Sequence, residues 1–211
     1  MEKTPAARQA VIYDLDGVLV DSLAANLAYY TRLLAHFGYP PVGPEYFTLI
    51  QTGTSREVIA ALFPDPATAA AAQAYESQLS NEGIIPLIRL KPHVRPVLQA
   101  LRPRYRTAIA TNRGKSLPLV LAHHNLTHLF DLAVGSRQVQ APKPHPRYLE
   151  IILEAFALTP DQALYIGDAS VDAQLAAAVG VPFVAYKNPA LPAVAHISDH
   201  REVLALLGIS G

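Results

Sequence analysis

The chain of 211 residues contains no cysteine, no tryptophan and a single methionine. Without cysteine there is no disulfide framework, no thiolate metal site and no cysteine nucleophile, a usage that agrees with a protein of the cytoplasm. An excess of charge of one sign is also missing: seventeen basic residues face seventeen acidic ones, for a formal net charge of zero. Nothing therefore calls for nucleic acid or an anionic membrane as partner. The apolar stretches fall well short of a membrane span, and Met1-Glu2-Lys3-Thr4-Pro5 lacks the apolar run of a signal peptide. The expectation is a soluble, cytoplasmic protein, a monomer or small homo-oligomer. Its 51% hydrophobic content allows one sizeable core, or a core plus a small accessory domain.

What is present is organised around Val11-Ile12-Tyr13-Asp14-Leu15-Asp16-Gly17-Val18-Leu19-Val20-Asp21-Ser22. Three largely apolar residues read as a short buried strand, and two carboxylates follow at i and i+2, with Gly17 permitting an unusual backbone angle. In open α/β sheets ligands bind at the carboxyl ends of strands, so the acids stand where chemistry is expected. Asp-x-Asp-Gly is also a common turn composition. A close carboxylate pair nevertheless points to a metal or a shared proton, because neighbouring acids disfavour each other's ionisation.

Past these acids the apolar spacing predicts a helix from Leu23 to Phe37, with Ser22 as N-cap, ending at Gly38-Tyr39-Pro40-Pro41. Residues from Glu45 to Gly83 read as helical in pieces, with Ser55 capping Arg56 to Phe63 and an alanine-rich helix from Ala67 to Leu79. From Leu90 the pattern alternates. Helices are predicted at Val94–Leu101, Leu117–Ala122, Pro146–Phe156, Val171–Val179 and Glu202–Leu207. Strands are predicted at Thr107–Ala110, Leu132–Val134, Ala163–Ile166 and Pro182–Tyr186. Five strands with intervening helices argue an α/β fold with a doubly wound parallel sheet. The helical block over 22–89 interrupts it as a small all-helical domain, so residues 1–21 and 90–211 form the core.

Three more sites fall at sheet ends. Thr111-Asn112 closes one strand and offers a hydroxyl and an amide, although a strand-end threonine is also an ordinary helix cap. Lys143 lies in Pro142-Lys143-Pro144-His145-Pro146, where prolines fix the backbone around an ammonium that is otherwise read as solvated. In Tyr165-Ile166-Gly167-Asp168-Ala169-Ser170-Val171-Asp172 a strand again ends in an acid, with a second acid four residues on. Acids are favoured at helix N-termini by the macrodipole alone. Asp14 and Asp168, from different strands, have the hard oxygen donors that magnesium prefers beside a phosphate.

In order, Asp-x-Asp-Gly-Val, a strand-end Thr, a Lys before Pro, and Gly-Asp-x-x-x-Asp resemble the four motifs of the haloacid dehalogenase-like hydrolases, of the subfamily of phosphoglycolate phosphatases and β-phosphoglucomutases. The resemblance covers nearly the whole chain, and the helical block matches the family's cap between its first and second motifs. One departure is Pro92-His93-Val94, where many relatives have Pro-Gly-Val. The resemblance implies Asp14 as nucleophile, Asp16 as acid then base, and Mg²⁺ held by Asp14, Asp168 and the backbone carbonyl of Asp16. It implies that Thr111, Asn112 and Lys143 bind the phosphoryl group, with Asp172 orienting Lys143 or a metal-bound water.

Individual residues choose among the family's activities. Asp16 and the Gly-Asp-x-x-x-Asp pattern argue against a dehalogenase, and the absence of lysine between Asp21 and Leu90 argues against a phosphonoacetaldehyde hydrolase. Gly53-Thr54-Ser55-Arg56-Glu57 resembles the mutase segment whose arginine grips a distal phosphate, yet Asn26 stands where the mutases carry a histidine and their cap lysine is missing. The reading is a phosphatase of a small phosphorylated metabolite, of phosphoglycolate or sugar-phosphate type, with Arg56 and Asn26 as further substrate contacts. A sugar-phosphate mutase is the nearest alternative. An aspartyl-phosphate switch or a non-catalytic phosphate-binding protein is the alternative of another class.

Overall fold

The computed structural model describes residues 8–81 and 83–209. Its first strand, β1 (Ala10–Tyr13), is buried at every position. The chain continues through β2 (Val20–Asp21), α1 (Leu23–His36), α2 (Phe47–Thr52), α3 (Ser55–Leu62), α4 (Pro66–Glu76) and β3 (Arg89–Leu90). Then come α5 (Val94–Leu101), β4 (Arg106–Ala110), α6 (Leu117–His123), β5 (Leu132–Val134), α7 (Ser136–Val139) and α8 (Arg147–Phe156). The last elements are β6 (Ala163–Gly167), α9 (Ser170–Val179), β7 (Phe183–Tyr186), β8 (Ala195–Ile197) and α10 (Arg201–Leu206).

Six strands form one parallel sheet in the order β5-β4-β1-β6-β7-β8. The expected five are joined by β8, whose three residues follow Leu191-Pro192-Ala193-Val194 and are too short and too mixed to carry a strand pattern. The chain moves outward from β1 to β4 and β5, then returns past β1 to build β6, β7 and β8, so the winding reverses between β1 and β6. That is the crevice where open α/β sheets bind ligands. Strands β1, β6 and β7 are buried throughout because helices cover both faces, which is why they read as continuous apolar runs. On one face Ala10, Ile12, Ala108 and Tyr165 pack with Tyr148, Leu149 and Ile152 of α8 and Leu175 and Ala176 of α9. Alternate residues such as Val11, Tyr13 and Ile109 point to the other face, where α5 packs on β4 and α10.

The chain divides into two compact units, one of Met1–Val20 with Leu90–Gly211 and the other of Asp21–Arg89. The described regular structure of the second unit is helical apart from Asp21 and Arg89, which belong to a two-stranded sheet of β2 and β3 at the two chain crossings. Its helix α1 buries Ala25, Tyr29, Tyr30, Leu33 and Leu34 along one stripe, Tyr29 donates to Glu76 Oε1 at 2.6 Å, and His36 stacks on Tyr75. Ser22 stands at the N-cap position but makes no side-chain cap bond. The cap of α3 is Thr54, one residue before the expected Ser55: Thr54 Oγ1 accepts from the Glu57 amide while Glu57 accepts from the Thr54 amide. The alanine-rich helix ends at Glu76, three residues short of the expectation. Among the described residues no helix is long and apolar enough to cross a membrane.

In the first unit His93 adopts a left-handed backbone at φ 62°, the conformation that glycine takes most easily. The side chain compensates by pairing its Nδ1 with Asp199 at 2.9 Å. The next residue, His200, is buried; its Nε2–H donates to the Val18 carbonyl at 3.0 Å, and its ring stacks on Tyr186. This bond ties the loop that carries Asp16 to the far end of the sheet. Burial lowers the His200 pKa, outweighing the Val18 bond and Asp199, and its Nδ1 has no partner among the described residues to receive a second proton. As pH falls through the ordinary histidine value of about 6.5, the unfolded chain takes up a proton that the folded chain refuses. Stability should be fully retained above that pH and decline below it. In urea titrations from about pH 7 to about pH 5, His200→Gln should decline less steeply than the wild type; equal slopes would assign the loss to other groups.

Candidate active site

Three adjacent strands deliver the site. Asp14 follows β1, Thr111 follows β4 and Asp168 follows β6, and β4 and β6 are the two neighbours of β1. The Asp14 amide donates to the Ile166 carbonyl at 2.8 Å, and the Thr111 amide to Val134 at 3.0 Å, so both residues prolong the ladder. Lys143 reaches the same point from the loop before α8, and its own amide is held by Asn112 Oδ1 at 2.9 Å. Its Nζ donates to Asp14 Oδ1 at 2.6 Å, to Asp172 Oδ1 at 2.8 Å and to the Tyr165 hydroxyl at 2.8 Å. Lys143 is 5% exposed and Asp172 1%, so this lysine is not a solvated one.

Burial opposes the Lys143 charge, but Asp14 and Asp172 outweigh it and raise the ammonium's pKa. Burial and the neighbouring acids push Asp14 upward, with Lys143 opposing them. Asp168 is pushed up to about 7 by burial and by Asp172, again against Lys143. Asp14, Asp168 and Asp172 bring carboxylate oxygens within 4.8 Å of one another. One ammonium beside three carboxylates leaves two negative charges uncompensated when all are ionised, and a divalent cation cancels that surplus. The all-oxygen donor set fits a hard ion.

Two glycines make the approach possible. A Cβ on Gly17, whose φ is +85°, would lie 2.0 Å from Asp168 Oδ2, and one on Gly167 would lie 2.5 Å from Asp172 Cβ. Asp172 is fully engaged: its Oδ2 accepts from the amides of Asp168 and Ala169 at 3.3 and 3.1 Å, and its Oδ1 from Lys143 and Tyr165. Thr111 Oγ1 accepts from the Arg113 amide at 3.1 Å. Asp16 stands slightly apart from the cluster, its carboxylate gripped by Arg113 through Nε at 2.9 Å and Nη2 at 2.6 Å.

Asp14, Asp168, Asp172 and Lys143 thus meet in one group, and Thr111, Asn112 and Asp16 stand on the loops around it. Asn26 and Arg56 belong to the second unit. Asn26 Nδ2 donates to Ser22 Oγ at 3.3 Å on α1, and Arg56 is exposed in the first turn of α3. Tyr165 and Arg113 were not expected. Tyr165 sits in an apolar strand run and reads as core, and Arg113 is separated from Asp16 by 97 positions.

The model of the family described as haloacid dehalogenase-like hydrolase matches residues 11–186. A phosphoglycolate phosphatase of Rhodobacter capsulatus is 32% identical, over 95% of each chain, and one of Aliivibrio fischeri is 30% identical, over 81% of this chain and 80% of that one. A crystal structure of a subfamily IA hydrolase of the same superfamily from Geobacter sulfurreducens superimposes with a TM-score of 0.79 at 37% identity, covering 97% of this chain and all of the other. The chain belongs to the haloacid dehalogenase-like hydrolases, and among them it is a phosphoric monoester hydrolase.

The Tyr165 hydroxyl is shared among Lys143, Asp172 Oδ1 at 2.6 Å and the Ala110 carbonyl at 3.3 Å, and burial keeps the phenol protonated. Tyr165→Phe keeps the ring but leaves two buried charged groups short of a partner. Stability should fall by about 1.5–3 kcal/mol, read as a lower urea midpoint with unchanged slope. A loss near zero would mean that the hydroxyl is no partner of theirs.

Proposed function

We propose that this enzyme hydrolyses a small phosphorylated acid of the 2-phosphoglycolate type, with Mg²⁺ as its metal, through a phosphoryl group carried on Asp14. The observation that carries the reading is the 2.6 Å bond from Lys143 Nζ to Asp14 Oδ1 inside the acidic cluster. It favours the ionised, nucleophilic form of a carboxylate that burial and the neighbouring acids push upward, and it leaves positive charge beside the group that Asp14 attacks. The curated relatives named as phosphoglycolate phosphatases supply the substrate class.

In this reading Asp14 attacks phosphorus while Asp16 gives its proton to the departing alkoxide. Asp16 then takes a proton from the water that opens the aspartyl-phosphate and returns Asp14 as carboxylate. Thr111 Oγ1 already accepts from the Arg113 amide, which leaves its hydroxyl hydrogen for a phosphate oxygen. Asn112 holds the Lys143 backbone, and Asp172, saturated by four donors, fixes the direction of the ammonium. Asp14, Asp168 and the carbonyl of Asp16 would hold Mg²⁺, which when bound offsets charge on the phosphoryl oxygens. Residues 22–89 serve as the cap, where Arg56 and Asn26 read the far end of the substrate. The missing cap lysine, and Asn26 in place of a histidine, favour release to water over return to a sugar.

Phosphate release from 2-phosphoglycolate should require Mg²⁺, disappear on chelation and return with Mg²⁺ better than with Ca²⁺, whose looser coordination suits an in-line attack less well. Asp14→Asn should abolish both turnover and the phosphoryl adduct seen by intact-protein mass. Full activity after exhaustive chelation would refute the metal assignment, and an adduct on another residue the nucleophile. Arg56→Ala should lower kcat/KM for 2-phosphoglycolate by about 1.5–3 kcal/mol in transition-state terms while sparing an aryl phosphate that has no second anion. Equal losses on both would indicate damage to the helical unit instead.

A further inference from the structure

We propose that Arg113 is a positioning residue for Asp16: its guanidinium fork sets where that carboxylate stands while it gives and takes the leaving-group proton. This rests on the acid–base reading of Asp16 given above. The pair is bidentate, Nε to Oδ2 at 2.9 Å and Nη2 to Oδ1 at 2.6 Å, and the two side chains are 10% and 12% exposed. The fork is itself anchored. Nη1 donates to Ser116 Oγ at 3.0 Å, and the Arg113 amide donates to Thr111 Oγ1 at 3.1 Å.

The main chain at Asp16 is already fixed, since the Gly17 amide donates to the Val20 carbonyl at 2.9 Å and Leu19 and Val20 both bond back to Leu15. The fork, by engaging both oxygens, sets the rotation of the Asp16 carboxylate. A proton donor has to lie within hydrogen-bond reach of the leaving oxygen, and a displacement of about 1 Å costs about 10²-fold in rate. A lysine would hold one oxygen with a rotating ammonium, whereas a planar guanidinium fixes both. The grip itself does not block the chemistry, because the fork occupies one lone pair on each carboxylate oxygen and a carboxylate oxygen has two. The proton passes from Asp16 to the alkoxide as the P–O bond breaks, and a water proton replaces it as the aspartyl-phosphate is opened. Arg113 keeps its charge throughout.

The test uses Arg113→Gln and Arg113→Lys, each alone and combined with Asp16→Asn, assayed on 2-phosphoglycolate and on 4-nitrophenyl phosphate after melting curves establish that each is folded. Both single variants should lose about 10²-fold in kcat on the alkyl ester with KM little changed, and should keep the initial burst of nitrophenol, whose departure needs no acid. Added to Asp16→Asn, neither should cost anything further, because the group that it positions is gone. Multiplying losses in the double variants, a raised KM with unchanged kcat, or restoration by lysine would overturn the positioning role while leaving the acid–base reading intact. Near wild-type turnover of 2-phosphoglycolate by Asp16→Asn alone would overturn that reading, and the positioning role with it. Should Arg113→Gln not fold, Arg113→Lys decides by the same outcomes, since it keeps the charge and loses only the fork.

Discussion

The ammonium of Lys143 is the contact on which the site depends. Three carboxylates at the ends of neighbouring elements would repel one another, and one buried cation touching two of them lets Asp14 and Asp172 share a dry crevice with Asp168 nearby. The cost of burying that charge is met by its partners: three short hydrogen bonds saturate Nζ, and the amides of Asp168 and Ala169 complete Asp172. Removing any one partner therefore leaves a charged group unsatisfied in a place that water reaches poorly. The sheet serves this arrangement. Placing β4 and β6 on either side of β1 is what brings residues more than a hundred positions apart to within a hydrogen bond of each other.

Backbone freedom is the second condition, and it is concentrated at two glycines. Gly17 lets the loop after Asp14 turn with φ +85° while passing against the Asp168 carboxylate, and Gly167 lets α9 swing Asp172 back over the end of β6. A side chain at either position would collide with the acids themselves. The loop so formed is closed by its own hydrogen bonds and by His200, which reaches Val18 from the start of α10. The main chain at Asp16 is thus set by the loop's own bonds and by His200 before Arg113 acts on its carboxylate.

Much of this was legible in the sequence, because its signals are local. The apolar runs of β1, β4 and β6 each end in a polar residue, and strand-then-acid is readable wherever a buried strand meets a sheet end. The helices were legible from their period, with differences at the ends where a cap decides: in Thr54-Ser55-Arg56-Glu57 both hydroxyls are cap candidates, and the Thr-x-x-Glu capping box selects Thr54 over Ser55. What was not legible depends on pairing across the fold. Tyr165 looks like any strand aromatic until its hydroxyl meets Lys143, and Arg113 looks like a loop cation until β4 stands beside β1. His93 was visible as a departure from Pro-Gly-Val, but not its compensation, since Asp199 is 106 positions away. The strand β8 failed for a plainer reason: three residues beside a proline carry too little pattern.

The two acids of Asp14-Leu15-Asp16 stand two residues apart and are given different cations. Through one oxygen Asp14 meets Lys143, a compact ammonium that also binds Asp172 and Tyr165. Asp16 meets Arg113, a planar fork that engages both of its oxygens and is tied to Ser116 on its own loop. A nucleophile has to stay ionised with one oxygen free to attack, which a point charge on the other oxygen allows. A group that exchanges a proton has to return to the same place in each half-reaction, which a rigid two-point grip provides. In the proposed mechanism identical side chains acquire different chemistry from the shape of the cation beside them. The short Asp-x-Asp spacing works because the ladder reaches only to Asp14 before the chain turns at Asp16-Gly17, so the two acids need not share one face as i and i+2 of a strand would.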